Sequence, residues 1–225
     1  MHIEPGVVDG AKILLSYASA AALLATTAFA GARALRQQGA AALAGRSLLA
    51  ALLVFGSFEV LPHHPVGVSE VHLILGSTLL LFGPAAAAIG LAAGLLVQGL
   101  FFAPSDLPQY GMNVTTLLAP LFATAALARR IIAPHTRYVD LSYGQTFKLS
   151  LAFQGGIVAW VAFWALYGHG VGADNLQQIA SFGGAYLLVI LVEPLVDLAV
   201  LAAAKALQRL HGSALLERRL FTAGA

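Results

Sequence analysis

Residues 71–102 read VHLILGSTLLLFGPAAAAIGLAAGLLVQGLFF, with no Lys, Arg, Asp or Glu among them. A helix needs roughly 20 predominantly apolar residues to cross a bilayer. Gly83–Pro84 divides this stretch into two spans joined tightly, as an antiparallel helical hairpin requires. Further apolar blocks flank it, and the spans read as 12–32, 47–61, 68–83, 85–103, 114–131, 149–167 and 179–203. The second and third are near the lower limit of length. The expected fold class is therefore an all-α integral membrane protein with about seven transmembrane helices.

The whole chain agrees with that reading. Of its 225 residues 59% are hydrophobic and 10% charged, where soluble domains carry about 25% charged residues. Backbone polar groups in lipid must be satisfied internally, so long apolar blocks mean helices. The alternation expected of a β-barrel dominates no segment. No boundary or repeat divides 1–225, which reads as a single transmembrane helical domain. Its longest soluble stretch is the loop near 132–148.

Basic residues set the expected orientation. Arg33, Arg36 and Arg46 lie between spans one and two. Arg129, Arg130, Arg137 and Lys148 lie between spans five and six, and Lys205, Arg209, Arg218 and Arg219 follow span seven. With seven spans, 11 of the 12 basic residues share one face and only Lys12 lies opposite. The positive-inside rule makes the crowded face cytoplasmic. The N-terminus and the loops 62–70, 104–113 and 168–178 then lie outside, and the C-terminus inside. Glu4 and Asp9 replace the basic start of a secretory signal, so Met1 is expected to begin the mature chain.

There are no cysteines, which excludes thiolate metal sites and cysteine nucleophiles. A net charge of +2 does not point to nucleic acid. The ionisable residues worth attention are histidines and intramembrane carboxylates. His2, His63, His64, His72 and His169 fall at or near the outer face, and neutral imidazole is the commonest metal ligand. A free α-amino group, the deprotonated amide of residue 2 and the His2 imidazole can chelate one cation through fused rings. A fourth nitrogen closes a square-planar set that favours Cu(II) or Ni(II) and accommodates Co(II). His72, at the outer end of the third span, is the candidate for that fourth nitrogen. The bland reading of such histidines is a solvated loop or an interfacial ring.

These residues resemble a known family. Met-His-Ile followed by an acidic residue and Gly opens the chain. His72 to Pro84 carries His-Leu, glycine and Leu-Phe-Gly-Pro. Leu-Val-Gln ending at Gln98 precedes Gly111, Asn113 and Val114. Together, over about residues 1–135, they are similar to the substrate-binding membrane component of energy-coupling-factor cobalt and nickel importers, the CbiM/NikM family.

The resemblance implies an N-terminus folded back into the outer mouth of the bundle. It implies Co(II) or Ni(II), as the transported substrate, held by the Met1 amino nitrogen, the amide and imidazole nitrogens of His2, and the imidazole of His72. Asn113 would orient a ligand or hold the N-terminal loop. It further implies a multi-pass protein of a prokaryotic plasma membrane. The partners would be a transmembrane scaffold subunit, ATPase subunits and, in some assemblies, a small accessory membrane subunit.

Several residues stay open. The segment LPHHPVGVSEVH departs from the family pattern, which has small hydroxyl residues and few histidines there. His63 and His64 read as a wet loop or as transient capture ligands. Glu59 and Glu70 could attract a cation or pair with Lys12. Glu193 and Asp197, four residues apart in the last span, could serve structural pairing or function. Ala18, Ala22 and Ala25 could pack within the bundle or dock a scaffold subunit.

The chain has no Gly-x-x-x-x-Gly-Lys-Ser/Thr sequence to cradle a nucleotide and no His-Glu-x-x-His of a metalloprotease. It is expected not to be an enzyme, with ATP hydrolysis supplied by other chains. The alternative is a cation channel or carrier working without an ATPase partner.

Overall fold

The computed structural model describes residues 2–60, 64–72, 77–206 and 213–222. Its long helices are α1 (Ile13–Gln38), α2 (Ala40–Glu59), α3 (Ser77–Phe101), α4 (Tyr110–Ile131), α5 (Tyr143–His169) and α6 (Ala173–Ala206). Between α2 and α3 lies an antiparallel hairpin of β1 (His64–Val66) and β2 (Ser69–Val71). A short helix, α7 (Arg218–Phe221), ends the described chain.

Among the described residues, six helices are long and apolar enough to cross a membrane. Their outer surface is apolar, with Leu14, Phe29, Leu48, Leu52, Leu188 and Leu191 exposed. That surface suits lipid, which offers hydrocarbon no penalty. The helices outrun the apolar blocks read from sequence because polar ends such as Arg33, Arg36 and Asp174 remain helical.

The third expected span, 68–83, is not a continuous helix. Ser69–Val71 is a strand, and Gly83 breaks the helical path with φ 78° and ψ 165° immediately before Pro84. Pro removes a donor and disfavours helix in the residue before it; the positive φ is open to glycine without strain. Apolar content alone did not distinguish this broken segment from a span.

α2 and the part of α3 after Gly83 run parallel, as the blocks 47–61 and 85–103 do in a seven-span reading. Phe82 and Ala86 pack with Ala50, a Cβ on Gly94 would stand 3.2 Å from the Val54 side chain, and Phe102 meets Phe55 with ring centroids 5.0 Å apart. Contacts therefore advance in step along both helices. His72 lies beside Phe58 near one end of α2 (ring centroids 4.9 Å). Leu81 lies near the other, where its carbonyl accepts from Glu217 N at 2.7 Å and the Glu217 carboxylate accepts from Arg46 Nη1 at 2.9 Å. Arg33 and Arg129 line a cavity at that same end, together with Glu217.

α4 is the central helix. Gly111 to Leu118 are buried without interruption, and two glycines bring neighbours close. A Cβ on Gly111 would stand 2.7 Å from Ser16 Oγ of α1, and one on Gly156 of α5 would stand 2.9 Å from Pro120. Small residues at such contacts let helix backbones approach in a bilayer. On α1 the buried stripe is Ser16, Ala20, Thr27, Gly31 and Ala34. Ala18, Ala22 and Ala25 are exposed on other faces. Of the two roles open to them, packing within the bundle is thus excluded.

Candidate metal site

The first residues of the chain fold back over the mouth at the His72 end. Ile3 bridges Ser69 of the hairpin. Glu70 N donates to His2 O at 3.0 Å and Glu4 N to Val68 O at 3.2 Å, so residues 2–4 extend the hairpin as a third extended segment. Gly67, at φ 63°, forms the turn, and a side chain there would overlap Gln178 O of α6. Gly168 gives way in the same manner to Val7 O, and Val7 and Val8 are buried. Lys12 Nζ caps this arrangement by donating to Gly168 O at 2.7 Å. It does not pair with Glu59 or Glu70, as the sequence allowed; among described residues it faces the end of α5.

His2 and His72 meet beneath this fold, 3% and 1% exposed. Their rings stand nearly perpendicular with centroids 5.1 Å apart, and Phe58 packs against both. His2 Nδ1 and His72 Nε2 each lie 2.7 Å from one oxygen, Glu70 Oε2. A carboxylate only accepts, so both rings donate. The other ring nitrogen of His2, Nε2, faces Asp106 Oδ2 at 3.9 Å. His2, Glu70 and His72 thus place three potential ligand atoms within 4.8 Å of one another. Asn113 Oδ1 accepts from Ile3 N at 2.8 Å, which holds the N-terminal segment against α4. A buried amide left without that acceptor would cost about 1–3 kcal/mol.

Electrostatics keep the imidazoles neutral. Burial pushes His72 down to about 2 and also lowers His2, against the opposing pull of Glu70. Burial alone would raise the Glu70 carboxyl, but the hydrogen bonds from His2 and His72 outweigh it, and the group is held well below its usual range. Neutral imidazole and ionised carboxylate are the forms that bind metal.

The remaining sequence candidates are dispersed. Met1 and His63 lie outside the described residues. His64 is exposed in β1, and His169 Nε2 lies 3.0 Å from Gly6 O, which it can serve as donor. Glu193 and Asp197 are buried in α6, far along the bundle from His2. Asp197 lines the opposite cavity, about 550 Å³ in volume, with Arg33, Arg129, Thr124 and Ser150. Sequence reasoning missed Glu70 as the centre of the site, and with it Phe58 and Asp106. A signal for Glu70 was present: Glu-x-His in an extended segment puts both side chains on one face.

Helices, hairpin and site together define a multi-pass membrane protein with a buried nitrogen-and-carboxylate pocket at one end. The chain belongs to the CbiM family, whose profile, described as "cobalt uptake substrate-specific transmembrane region", matches residues 2–210. The family resemblance seen in the sequence is thereby borne out. Among curated proteins none matches the chain in sequence. A solved structure described as that of a transition metal transporter is similar in fold, with a TM-score of 0.67 at 19% identity over 93% of this chain and 94% of the other.

Proposed function

We propose that this chain is the substrate-specific component of an energy-coupling-factor importer, binding Co(II) or Ni(II) at the outer face and delivering it inward. The observation that carries the reading is the convergence of His2 Nδ1 and His72 Nε2 on one buried point beneath the folded-back N-terminus. The Met1 amino nitrogen and the His2 amide would complete four nitrogens around an ion there. Asn113 would act by holding Ile3, and so His2, in register.

Orientation follows from charge. Arg33, Arg46 and Arg129 gather at the end opposite His2, which the positive-inside rule assigns to the cytoplasm. Cysteines placed at the exposed Ser105 and Gln37 should differ towards an impermeant thiol reagent in intact cells. Only the Ser105 site should label; labelling of Gln37 alone would reverse the orientation.

The rival reading, a channel or carrier without an ATPase partner, needs a continuous polar path. Asn113 below the mouth and Thr124 in the inner cavity are about 16 Å apart along α4 at 1.5 Å per residue. Between them Leu117, Leu118 and Leu121 are buried, an apolar barrier that favours alternating exposure driven by partners. The exposed small residues Ala18, Ala22 and Ala25 offer a face for a scaffold subunit within a prokaryotic plasma membrane. In liposomes, ATP-driven uptake of the ion is expected only when scaffold and ATPase subunits are co-reconstituted. Uptake of equal rate by the chain alone would sink the proposal.

Nickel stands above cobalt, and copper above both, in intrinsic affinity for such donors. The family description names cobalt. Selection between the two metals then rests on supply, on partners and on the donor set itself.

A further inference from the structure

We infer that Glu70 is itself a ligand of the transported ion, adding one carboxylate oxygen to the four nitrogens; this rests on the metal-binding reading above. Glu70 belongs to β2, and its backbone is fixed by pairing with Pro65 and by the bond from its N–H to His2 O. Its side chain is therefore delivered to the mouth by the same hairpin that anchors the N-terminal segment. Oε2 already occupies the place on which His2 Nδ1 and His72 Nε2 converge, 2.7 Å from each. An ion bound by both nitrogens enters at that point. Ligand bonds of first-row divalent ions to imidazole and carboxylate are about 2.0–2.2 Å, so two ligands of one ion stand no more than about 4.4 Å apart. The three donor atoms lie within 4.8 Å of one another. A small displacement of the carboxylate converts its two hydrogen bonds into one bond to metal.

Charge supports the same conclusion. A divalent ion with one deprotonated amide retains one positive charge, and burying an uncompensated charge is costly. Glu70 cancels it where the imidazoles are almost inaccessible. Each ring frees its converging nitrogen by changing tautomer, His72 moving its proton from Nε2 to Nδ1. When His2 Nδ1 turns its lone pair to the ion, its proton moves to Nε2, which faces Asp106 Oδ2. That carboxylate is on the far side of the ring from the convergence point, so Asp106 is a positioning residue and Glu70 the ligand.

Added to the four nitrogens, the Glu70 oxygen would make the ion five-coordinate. Strict square-planar nitrogen sets suit Cu(II) and Ni(II) best, so the fifth donor shifts relative preference towards Co(II). The test is titration of the purified full-length chain with Co(II) and Ni(II) separately, following visible absorbance, for the native protein, Glu70→Gln and Glu70→Asp. Glu70→Gln should weaken Co(II) binding by about tenfold or more, a change equivalent to about 1.4 kcal/mol, and weaken Ni(II) binding less. It should also change the Co(II) absorption spectrum of the saturated protein. Glu70→Asp keeps the charge but shortens the arm, and should alter that spectrum with a smaller loss of affinity. It serves as the informative variant if the amide disturbs folding. A Co(II) spectrum and a Co(II)-to-Ni(II) preference identical to native in both variants would overturn the assignment, whatever the affinities. If the native chain itself binds neither ion, the metal-binding reading fails and this one with it. Tight native binding with unaltered spectra rejects the Glu70 ligand alone.

Discussion

Adding residues before Met1 should abolish tight binding of Co(II) and Ni(II), with a loss of two orders of magnitude or more in affinity, about 2.7 kcal/mol at 1.36 kcal/mol per decade. In the proposed site an extension would remove the α-amino ligand and break a fused chelate ring at once. Inserting one Ala between Met1 and His2 should reshape the site through the same register. His72→Ala should open one position and weaken binding, whereas His64, exposed in β1, should matter little. Protons give an independent readout. His2 and His72 are kept neutral by burial, so the ion displaces few protons from them at pH 7. An ordinary α-amino group titrates near 8 and is mostly protonated at pH 7, and the amide must lose its own proton. Native protein should thus release more than one proton per ion, and affinity should fall as pH drops, because protons compete for those two nitrogens. A site built only from His2, Glu70 and His72 would release almost none. If the extended chain binds as tightly as the native one, with equal proton release, the N-terminal chelate is wrong.

The second large effect is on stability, at the opposite end of the bundle. Arg46 is 1% exposed within α2, donating from Nη1 to Glu217 Oε2 at 2.9 Å and from Nε to Ala214 O at 3.3 Å. Removing one partner of a buried pair typically costs about 3–5 kcal/mol, because the other charge stays buried. Glu217 is partly open to solvent, so Glu217→Ala should lie near the lower figure, about 3 kcal/mol. For a chain of this size that corresponds to a drop of about 6–12 °C in melting temperature. The double replacement Arg46→Met with Glu217→Leu should recover much of it, since no charge is then stranded. A melting temperature for Glu217→Ala within a degree of native would show that the pair is solvated after all.

Much of this architecture could be read from residues alone, for physical reasons that differ between elements. Long apolar blocks announced α1, α2, α4, α5 and α6 because lipid leaves the backbone no alternative to helix. His2 and His72 were singled out because an imidazole with a terminal chelate has specific chemistry, and the fold brings their rings together. The segment 68–83 misled because hydropathy measures transfer to lipid and is blind to strand pairing. Ser69–Val71 pairs with His64–Val66 across the turn at Gly67 and also bonds to residues more than sixty positions away, His2 and Ile3. Glu70 could be read as a residue that attracts a cation, but its place between the two histidines could not, for a related reason. A carboxylate reads as a generic charge until a turn at Gly67 and a strand register aim it at two histidines. The parallel course of α2 and α3 agrees with the seven-span reading, in which blocks 47–61 and 85–103 run in the same direction and the chain reverses at Gly83–Pro84.

The docking of residues 2–8 sets an order on assembly. Ile3 is held by Asn113, Gly6 by His169 and Val7 beside Gly168, partners made 110 to 163 residues later. During synthesis residues 2–8 can therefore reach their place only after these later partners have been made. Their docking has to await the end of the fifth long helix, which supplies Gly168 and His169. A nascent chain holds His2 without His72 and Glu70 beside it, so the proposed site is complete only once the bundle has formed.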